Sequence, residues 1–255
     1  MIITGKTVRE LALEVPQATR IFERLGIDYC CHGERLLDEA CALAHVEVAD
    51  VERALAEAES KPGGHPAESG REDASWQRSP LFGLIAHIIQ KHHYFVRREL
   101  RRIEPLLARV ITTHGEGHPE LLEVQRQFRA LGDELVQHMM REEQILFPYV
   151  THLEESENRR QSMAAPQFGT IENPVRMMMH EHESAGAVLR SMREKTANYR
   201  LPNGACAGYE TLFSALQDFE QDLHQHIHLE NNILFPRALK LEEKMRARGG
   251  LREAS

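Results

Sequence analysis

Two segments of the chain place a histidine and a glutamate one helical turn apart and end in the same four residues. HMMREEQILFP begins at His138, and HIHLENNILFP begins at His226, so that each copy reads H-x-x-x-E-x-x-I-L-F-P. Residues four apart on an α-helix point to nearly the same side, which puts His138 beside Glu142 and His226 beside Glu230. A carboxylate on an apolar helix face is costly unless a cation compensates its charge. The repeat therefore predicts that these four residues bind metal.

Two further helices are needed to complete such a site. HIIQKHHYFVRREL offers His87, His92 and His93, and MMMHEHESAG offers His180 and His182. Spacing alone does not choose among them. Small or apolar residues lie on the same side as His182 and favour an inward direction for it, whereas His180 has polar neighbours.

One histidine from each of four helices and two glutamates make six protein ligands. Imidazole and carboxylate together suit iron, zinc or manganese, and the absence of thiolates argues against a structural zinc site. Six ligands on four helices suit two metal ions bridged by the carboxylates, with a position open for O2, NO or water. Iron is the metal that we expect.

The elements that position these residues are helices. Few segments alternate with period two, so a sheet is not expected, and we predict an all-α protein. A small helical N-terminal domain, a Gly- and Pro-rich linker, a four-helix bundle and a tail are predicted over residues 1–60, 61–76, 77–245 and 246–255. Within the bundle, helical periodicity covers roughly residues 80–110, 119–153, 172–198 and 205–245.

The N-terminal domain carries a second group of reactive side chains. Thr7 and Glu10 form a capping-box pattern at the start of a helix, and Gly26 ends the next helix. The turn IDYCCHG follows and contains the adjacent thiols Cys30 and Cys31. Such a pair is able to transfer electrons, bind iron transiently or contact a cluster protein, and we treat both cysteines as functional candidates.

Composition narrows the cellular setting and the partners. The 255 residues carry a formal net charge of −8, which argues against a broad basic surface for nucleic acid or anionic lipid. The N-terminus has no apolar signal-peptide core, and no apolar stretch is long enough to cross a bilayer. Four cysteines without an export signal favour a reducing compartment. We expect a cytoplasmic protein without nucleic-acid or membrane partners.

These motifs resemble those of the repair-of-iron-centres di-iron proteins, which combine an ScdA-type N-terminal domain with a hemerythrin-like domain. The resemblance covers nearly the whole chain and includes ENNILFPRAL and the DYCC turn. It implies two non-haem iron ions, joined by an oxo bridge and by two carboxylates. The ligands that it implies are His93, His138, Glu142, His182, His226 and Glu230. CCHG departs from the CCGG of some relatives, and His180 is an extra imidazole, but neither departure removes a ligand.

The resemblance also implies a function, the repair of iron–sulfur clusters after nitrosative or oxidative damage. Iron donation to the damaged cluster and NO reduction at the di-iron centre are the two routes, so enzymatic activity stays open. The partners would be damaged iron–sulfur proteins, with NO or O2 as small ligands, and a homodimer is compatible with the N-terminal domain. An oxygen or NO sensor or carrier without repair activity is the alternative. A DNA-binding regulator is disfavoured by the acidic N-terminal helices.

Three acidic residues near the predicted ligands are further candidates. Glu134 and Asp222 each precede a ligand histidine by one turn and are expected to orient imidazoles or relay protons. Glu181 lies beside His182 and, by the resemblance, lines the route by which iron or small molecules pass.

Overall fold

The computed structural model describes three stretches of the chain, residues 5–15, 17–60 and 75–252. Most of the predicted linker, residues 61–74, lies outside the described residues, as do the last three residues of the predicted tail. The linker and the domain boundaries therefore stay predictions.

Four short helices form the N-terminal domain, namely α1 (Val8–Glu14), α2 (Ala18–Leu25), α3 (Leu37–Ala44) and α4 (Val48–Ser60). The predicted capping box is present at α1, where Glu10 N donates to the Thr7 hydroxyl and Thr7 N donates to the Glu10 carboxylate. Gly26 ends α2 with a φ of 70°, a conformation that glycine adopts without steric cost.

Four long helices form the bundle, and three of them contain a π-helical segment. The first bundle helix comprises α5 (Leu81–His87), π1 (Ile88–His93) and α6 (Tyr94–His114). The second comprises α7 (Glu120–Arg141), π2 (Glu142–Leu146) and α8 (Phe147–Asn158). The third is α9 (Glu172–Lys195), and the fourth comprises α10 (Ala207–His228), π3 (Leu229–Leu234) and α11 (Phe235–Ala247). The prediction of an all-α fold with a four-helix bundle is confirmed.

One small pair of strands departs from the helical prediction. β1 (Met163–Ala164) pairs in parallel with β2 (Leu251–Arg252), with Met163 opposite Leu251. Two residues per strand only tie the end of the chain to the loop after α8, so the pair does not alter the fold class.

The buried apolar side chains fall into two clusters. One joins the N-terminal domain to the nearer half of the bundle, and the other fills the remaining half around the two ILFP segments. Each bundle helix passes from one cluster to the other within a few residues, between Ile88 and Val96, Met139 and Leu146, Met178 and Ala185, and Ile227 and Leu229. The predicted metal ligands lie at or beside these four crossings, so a buried polar layer separates the two apolar clusters.

Candidate metal centre

The six predicted ligands come together in this polar layer, and all are buried. They form two groups whose ligand atoms lie within 4.8 Å of one another. One group joins His93 and His226 to the two glutamates, and the other joins His138 and His182 to the same two glutamates. The two carboxylates, Glu142 and Glu230, therefore belong to both groups.

Each glutamate points one oxygen toward each pair of histidines. For Glu142, Oε2 lies 3.4 Å from Nε2 of His93 and Oε1 lies 3.3 Å from Nε2 of His138. For Glu230, Oε2 lies 3.1 Å from Nε2 of His182 and Oε1 lies 3.1 Å from Nε2 of His226. A carboxylate in this position is able to bridge two metal ions.

The spacing of the nitrogens also fits metal ligation. Nε2 of His93 lies 3.2 Å from Nε2 of His226, and Nε2 of His138 lies 3.1 Å from Nε2 of His182. Two ligand atoms about 2.1 Å from one ion and at right angles to each other lie about 3 Å apart. The two nitrogen–nitrogen distances and the four nitrogen–oxygen distances given above are all close to this value.

The buried carboxylates lack the compensation that an ordinary core acid requires. Neither oxygen of Glu142 or of Glu230 accepts a hydrogen bond from any described residue. A fully buried carboxylate that accepts no hydrogen bond is costly, because its solvation by water is lost and here only the charge of the neighbouring imidazoles offsets that loss. Metal cations would supply the missing charge, so these residues fit a metal centre better than an apolar packing role.

Three of the four histidines have an outer hydrogen-bond partner. Nδ1 of His93 donates to Glu143 over 2.6 Å, and Nδ1 of His182 donates to Asn231 Oδ1 over 2.9 Å. Nδ1 of His138 donates to Glu181 over 2.7 Å. A proton on Nδ1 leaves the lone pair on Nε2 for a metal, and the outer partner fixes the direction of the ring.

His226 differs from the other three histidines. Its Nδ1 is buried and makes no hydrogen bond to a described residue. The ring of His92 stacks on it instead, with centroids 5.7 Å apart and planes inclined by 10°. The His226 imidazole is therefore held by packing and by its own helix rather than by an outer acceptor.

Burial and the charges of neighbouring side chains shift the pKa values of the glutamates and histidines in the centre. Burial and mutual repulsion oppose ionisation of the carboxylates, yet the neighbouring imidazoles hold the pKa of Glu142 below its usual range and that of Glu230 well below it. Burial disfavours the imidazolium of His138, but Glu142 raises the pKa of His138 to about 10. At His226 burial prevails and lowers the pKa. The two carboxylates thus stay ionised, and their negative charge favours a proton on a neighbouring imidazole or a metal cation in the centre.

The structure separates the histidines that spacing left open. His93 and His182 face the centre, whereas the side chain of His180 is 83% exposed. His92 is buried next to the centre but belongs to neither ligand group, and its Nδ1 donates to Asp222 over 3.0 Å.

The two acidic residues one turn before His226 and His138 have different surroundings, and their predicted roles stay predictions. Asp222 accepts a hydrogen bond from His92 of the first bundle helix, whose ring stacks on His226. Glu134 is exposed and makes no hydrogen bond to a ligand histidine among the described residues. The carboxylate at His138 is Glu181, which also accepts from Arg141 over 2.5 Å. The His138 hydrogen bond and Arg141 together lower the pKa of Glu181 to about 2.

A cavity of about 480 Å3 leads from the surface to the centre. Its apolar wall includes Leu135, Ala185 and Ile227, and His138, His182 and His226 line its inner end. Glu134, Glu181 and His180 line its more exposed part. A cavity of this volume has room for small molecules beside the histidines.

The cysteine turn lies directly beside this centre. Asn231, which accepts from His182, donates through Nδ2 to the carbonyl oxygen of Cys30 over 3.0 Å. The thiol of Cys31 lies 3.6 Å from the carbonyl oxygen of His182. Cys30 and Cys31 are free thiols with their sulfur atoms 3.6 Å apart. The structure thus brings both functional candidates of the sequence, the ligands and the thiols, into one region.

Sequence reasoning missed two outer partners, Glu143 and Asn231. Each directly follows a ligand glutamate in its copy of the repeat, and each accepts from a ligand histidine of another helix. A polar residue at this position in both copies was the available signal. Sequence reasoning also found no partner for Cys206, whose thiol lies 3.2 Å from Nε2 of His114.

Family models match both parts of the chain. The Hemerythrin HHE cation binding domain matches residues 84–238, and the ScdA_N domain, a Domain of Unknown function (DUF542), matches residues 4–59. Together with the two buried groups of histidine and glutamate, the first match supports iron binding by the bundle. Within the described residues, no helix combines the length and apolar character needed to cross a membrane.

Proteins similar to this chain over nearly its whole length carry the name Iron-sulfur cluster repair protein YtfE. That of Pectobacterium carotovorum is 33% identical over 242 residues, which cover 95% of this chain and 100% of the relative. That of Yersinia pseudotuberculosis is 34% identical over 93% of this chain and 98% of the relative. That of Edwardsiella ictaluri is 34% identical over 94% of this chain and 99% of the relative. The chain therefore belongs to the repair-of-iron-centres family of YtfE-type proteins.

Proposed function

We propose that this chain is a di-iron protein that repairs iron–sulfur clusters damaged by nitrosative or oxidative stress. The observation that carries the proposal is the pair of buried ligand groups that share Glu142 and Glu230. The relatives named for iron–sulfur cluster repair support the same function, because they match this chain in both of its domains.

Two iron ions would be held by His93 with His226 and by His138 with His182, with the two glutamates shared and an oxo bridge completing the pair. Bound iron would supply redox chemistry and a store of iron that can be released. The protein residues hold the imidazoles in their metal-binding tautomer through Glu143, Glu181 and Asn231.

The cavity is compatible with both routes of repair. Its apolar wall suits passage of NO or O2, which are small and uncharged, and would serve NO reduction. The acidic side chains Glu134 and Glu181 suit passage of a cation and would serve iron donation to a damaged iron–sulfur protein.

The first experiment is the metal content and visible spectrum of protein purified without added metal. We expect about two irons per chain and the absorption of an oxo-bridged diferric pair. His182→Ala should lower the iron content and bleach this absorption, because it removes a buried ligand. His180→Ala is the matched control, since His180 is exposed two residues away. Zinc in place of iron, or equal iron content in both variants, would contradict the proposal.

A repair assay separates this function from that of a sensor or carrier. The iron-loaded protein should restore the activity of an enzyme whose iron–sulfur cluster has been damaged by NO, and the metal-free protein should not. Changing Cys30 and Cys31 to serine should keep the di-iron spectrum and impair repair, because the turn touches the centre through Asn231. A carrier of O2 or NO would have no repair activity to lose.

The setting of this function is part of the proposal. Four free thiols are compatible with the reducing cytoplasm. A homodimer is checked by light scattering of the purified protein, in which a mass of twice 29.2 kDa would support the dimer and 29.2 kDa would contradict it.

A further inference from the structure

The turn between α2 and α3 brings a carboxylate and two thiols together outside the bundle centre. The sulfur atoms of Cys30 and Cys31 lie 3.6 Å apart, and Oδ1 of Asp28 lies 3.6 Å from the Cys30 sulfur. Ligand atoms of all three residues lie within 4.8 Å of one another. Carboxylate and thiolate are both metal ligands, so the distances decide whether one ion would fit.

The sulfur–sulfur distance and the distance from Asp28 Oδ1 to the Cys30 sulfur match those around a tetrahedral metal ion. An ion with metal–sulfur distances of about 2.3 Å holds two thiolates about 3.8 Å apart. A carboxylate oxygen about 2.0 Å from the same ion lies about 3.5 Å from each thiolate. The two sulfur atoms are too far apart for a disulfide, in which they lie about 2.0 Å from each other.

The carboxylate of Asp28 is held with one oxygen toward the thiols. Its Oδ1 accepts from the backbone N–H of Cys31 over 2.9 Å, and its Oδ2 accepts from Nδ1 of His32 over 2.7 Å. The guanidinium of Arg190 lies 3.7 Å from Oδ2. Burial opposes ionisation of Asp28, but the hydrogen bonds from His32 and Cys31 outweigh it and lower its pKa. The group is an oriented anion before any metal arrives.

Of the two thiols beside this carboxylate, Cys30 is buried and Cys31 is half-buried. The hydrogen bond with Cys31, burial and the charge of Asp28 together raise the pKa of Cys30 well above its usual range. A metal ion would replace the thiol protons and bring positive charge to a buried region that now holds an anion. Asp28, Cys30 and Cys31 also line a cavity of about 40 Å3, which has room for water as an exchangeable fourth ligand.

We propose that Asp28, Cys30 and Cys31 form a second metal site, which binds one divalent ion of the thiolate-accepting class that includes Zn2+ and Fe2+. His32 and Arg190 position the carboxylate and are not ligands. Three protein ligands and an open position make a site from which the ion is readily exchanged, unlike a closed structural site with four protein ligands.

The side chain of Asn231 links the second site to the bundle centre by hydrogen bonds. Asn231 accepts from the imidazole of His182 and donates to the carbonyl oxygen of Cys30. The Cys31 thiol also lies against the backbone of the third bundle helix, where a Cβ at Gly186 would come within 3.3 Å of its sulfur. Only the side chain of Asn231 would therefore stand between the backbone of an ion-binding cysteine, Cys30, and the imidazole of His182. The assignment of the site stands on the turn itself and does not require the bundle to repair clusters.

Cobalt titration of the full-length, iron-loaded protein under anaerobic reducing conditions tests the site. Co2+ bound by thiolates gives a sulfur-to-cobalt charge-transfer band in the near ultraviolet, which histidine and glutamate ligands in the bundle cannot produce. We expect this band to saturate at one Co2+ per chain, with release of about two protons from the two thiols, and Zn2+ should displace it. Absence of the band, or a band without proton release, would overturn the proposal.

Substitutions identify the residues that bind cobalt and produce the charge-transfer band. Cys30→Ser and Cys31→Ser should each abolish or strongly reduce it, and Asp28→Asn should weaken cobalt affinity by about tenfold or more. Cys206→Ser is the matched control, because Cys206 is an exposed thiol far along the chain and should leave the band unchanged. A band that survives the loss of both Cys30 and Cys31, or that disappears with Cys206, would overturn the proposal. Bundle iron measured in the same samples reports separately on the di-iron centre.

Discussion

At the scale of single residues, the centre depends on side chains that bind no metal. Glu143 and Asn231 occupy the same position in the two copies of the repeat, and each accepts a hydrogen bond from a predicted ligand imidazole of another helix. Glu181 holds His138 in the same way from the third bundle helix. His226 has no such acceptor among the described residues. The ring of His92 stacks on it instead. The two halves of the centre thus differ in how firmly their histidines are held.

Glu181→Gln tests the contribution of such an outer partner. The change keeps the size of the side chain but removes the charge that accepts from His138 and pairs with Arg141. Loss of an outer acceptor typically lowers metal affinity by roughly 10- to 100-fold, and we expect this range for iron. Competition with a ferrous chelator measures the affinity.

The control for this prediction is Glu183→Gln. Glu183 lies two residues further along α9, is exposed and lies 4.0 Å from Nδ1 of His180. It should leave iron affinity unchanged. Equal losses in the two variants would mean that surface charge, and not the hydrogen bond to His138, governs iron affinity.

At the scale of elements, the π-helical segments explain what periodicity could not predict. They contain His93, Glu142 and Glu230, and π-helical turns often occur at functional sites. A wider turn shifts every later side chain from its α-helical direction. Ile145 in π2 and Ile233 in π3 occupy equivalent positions in the repeat, yet Ile145 is 50% exposed and Ile233 is 2% exposed, so the repeat does not determine burial either. The repeat thus predicted the helices and the four residues that meet in the centre, whereas the choice between His92 and His93 depends on a distortion that spacing does not encode.

The buried carboxylate of Glu242 connects α8, the segment before α9, and α11 by hydrogen bonds. Glu242 on α11 accepts from the hydroxyl of Tyr149 over 2.6 Å and from the hydroxyl of Thr170 over 2.7 Å. It also accepts from the backbone N–H of Ile171 over 3.0 Å and from Arg246 over 3.2 Å. Glu242→Gln removes the charge that strengthens these bonds, and we expect a loss of about 2 kcal/mol in the free energy of unfolding by urea. Exposed Glu243, changed to glutamine, should alter it by less than about 0.5 kcal/mol.

The effect of Glu242 should depend on pH in a defined direction. Burial opposes its ionisation, but the hydrogen bonds from Tyr149, Thr170 and Arg246 outweigh burial and lower its pKa from 4.5. A carboxyl whose pKa is lower in the folded state adds stability that is fully present above the unfolded pKa of 4.5 and is lost as the pH falls through the folded value. The stability difference between the wild-type protein and Glu242→Gln should therefore shrink below pH 4.5. A constant difference across this range would show that shape, and not charge, underlies the effect.

At the scale of the whole molecule, the N-terminal domain completes the bundle. Its apolar side chains join the same cluster as those of the bundle, and residues 226–235 of the fourth bundle helix are all buried. Asn231 and Asn232 donate to the carbonyl oxygens of Cys30 and Tyr29. The sequence predicted both domains from their patterns, but these contacts join backbone atoms to side chains about two hundred residues away and leave no local pattern to detect.

The two asparagines distinguish docking of the domain from support of the metal. Both hold the cysteine turn, but only Asn231 also accepts from a metal-centre histidine, His182, while Asn232 contacts His228. Asn231→Ala and Asn232→Ala should both speed alkylation of Cys31 in the intact protein, because each loosens the turn. Only Asn231→Ala should also lower iron affinity, by roughly 10- to 100-fold, since His182 then loses its acceptor. If both variants lose iron equally, docking of the domain rather than the hydrogen bond to His182 is what retains the metal.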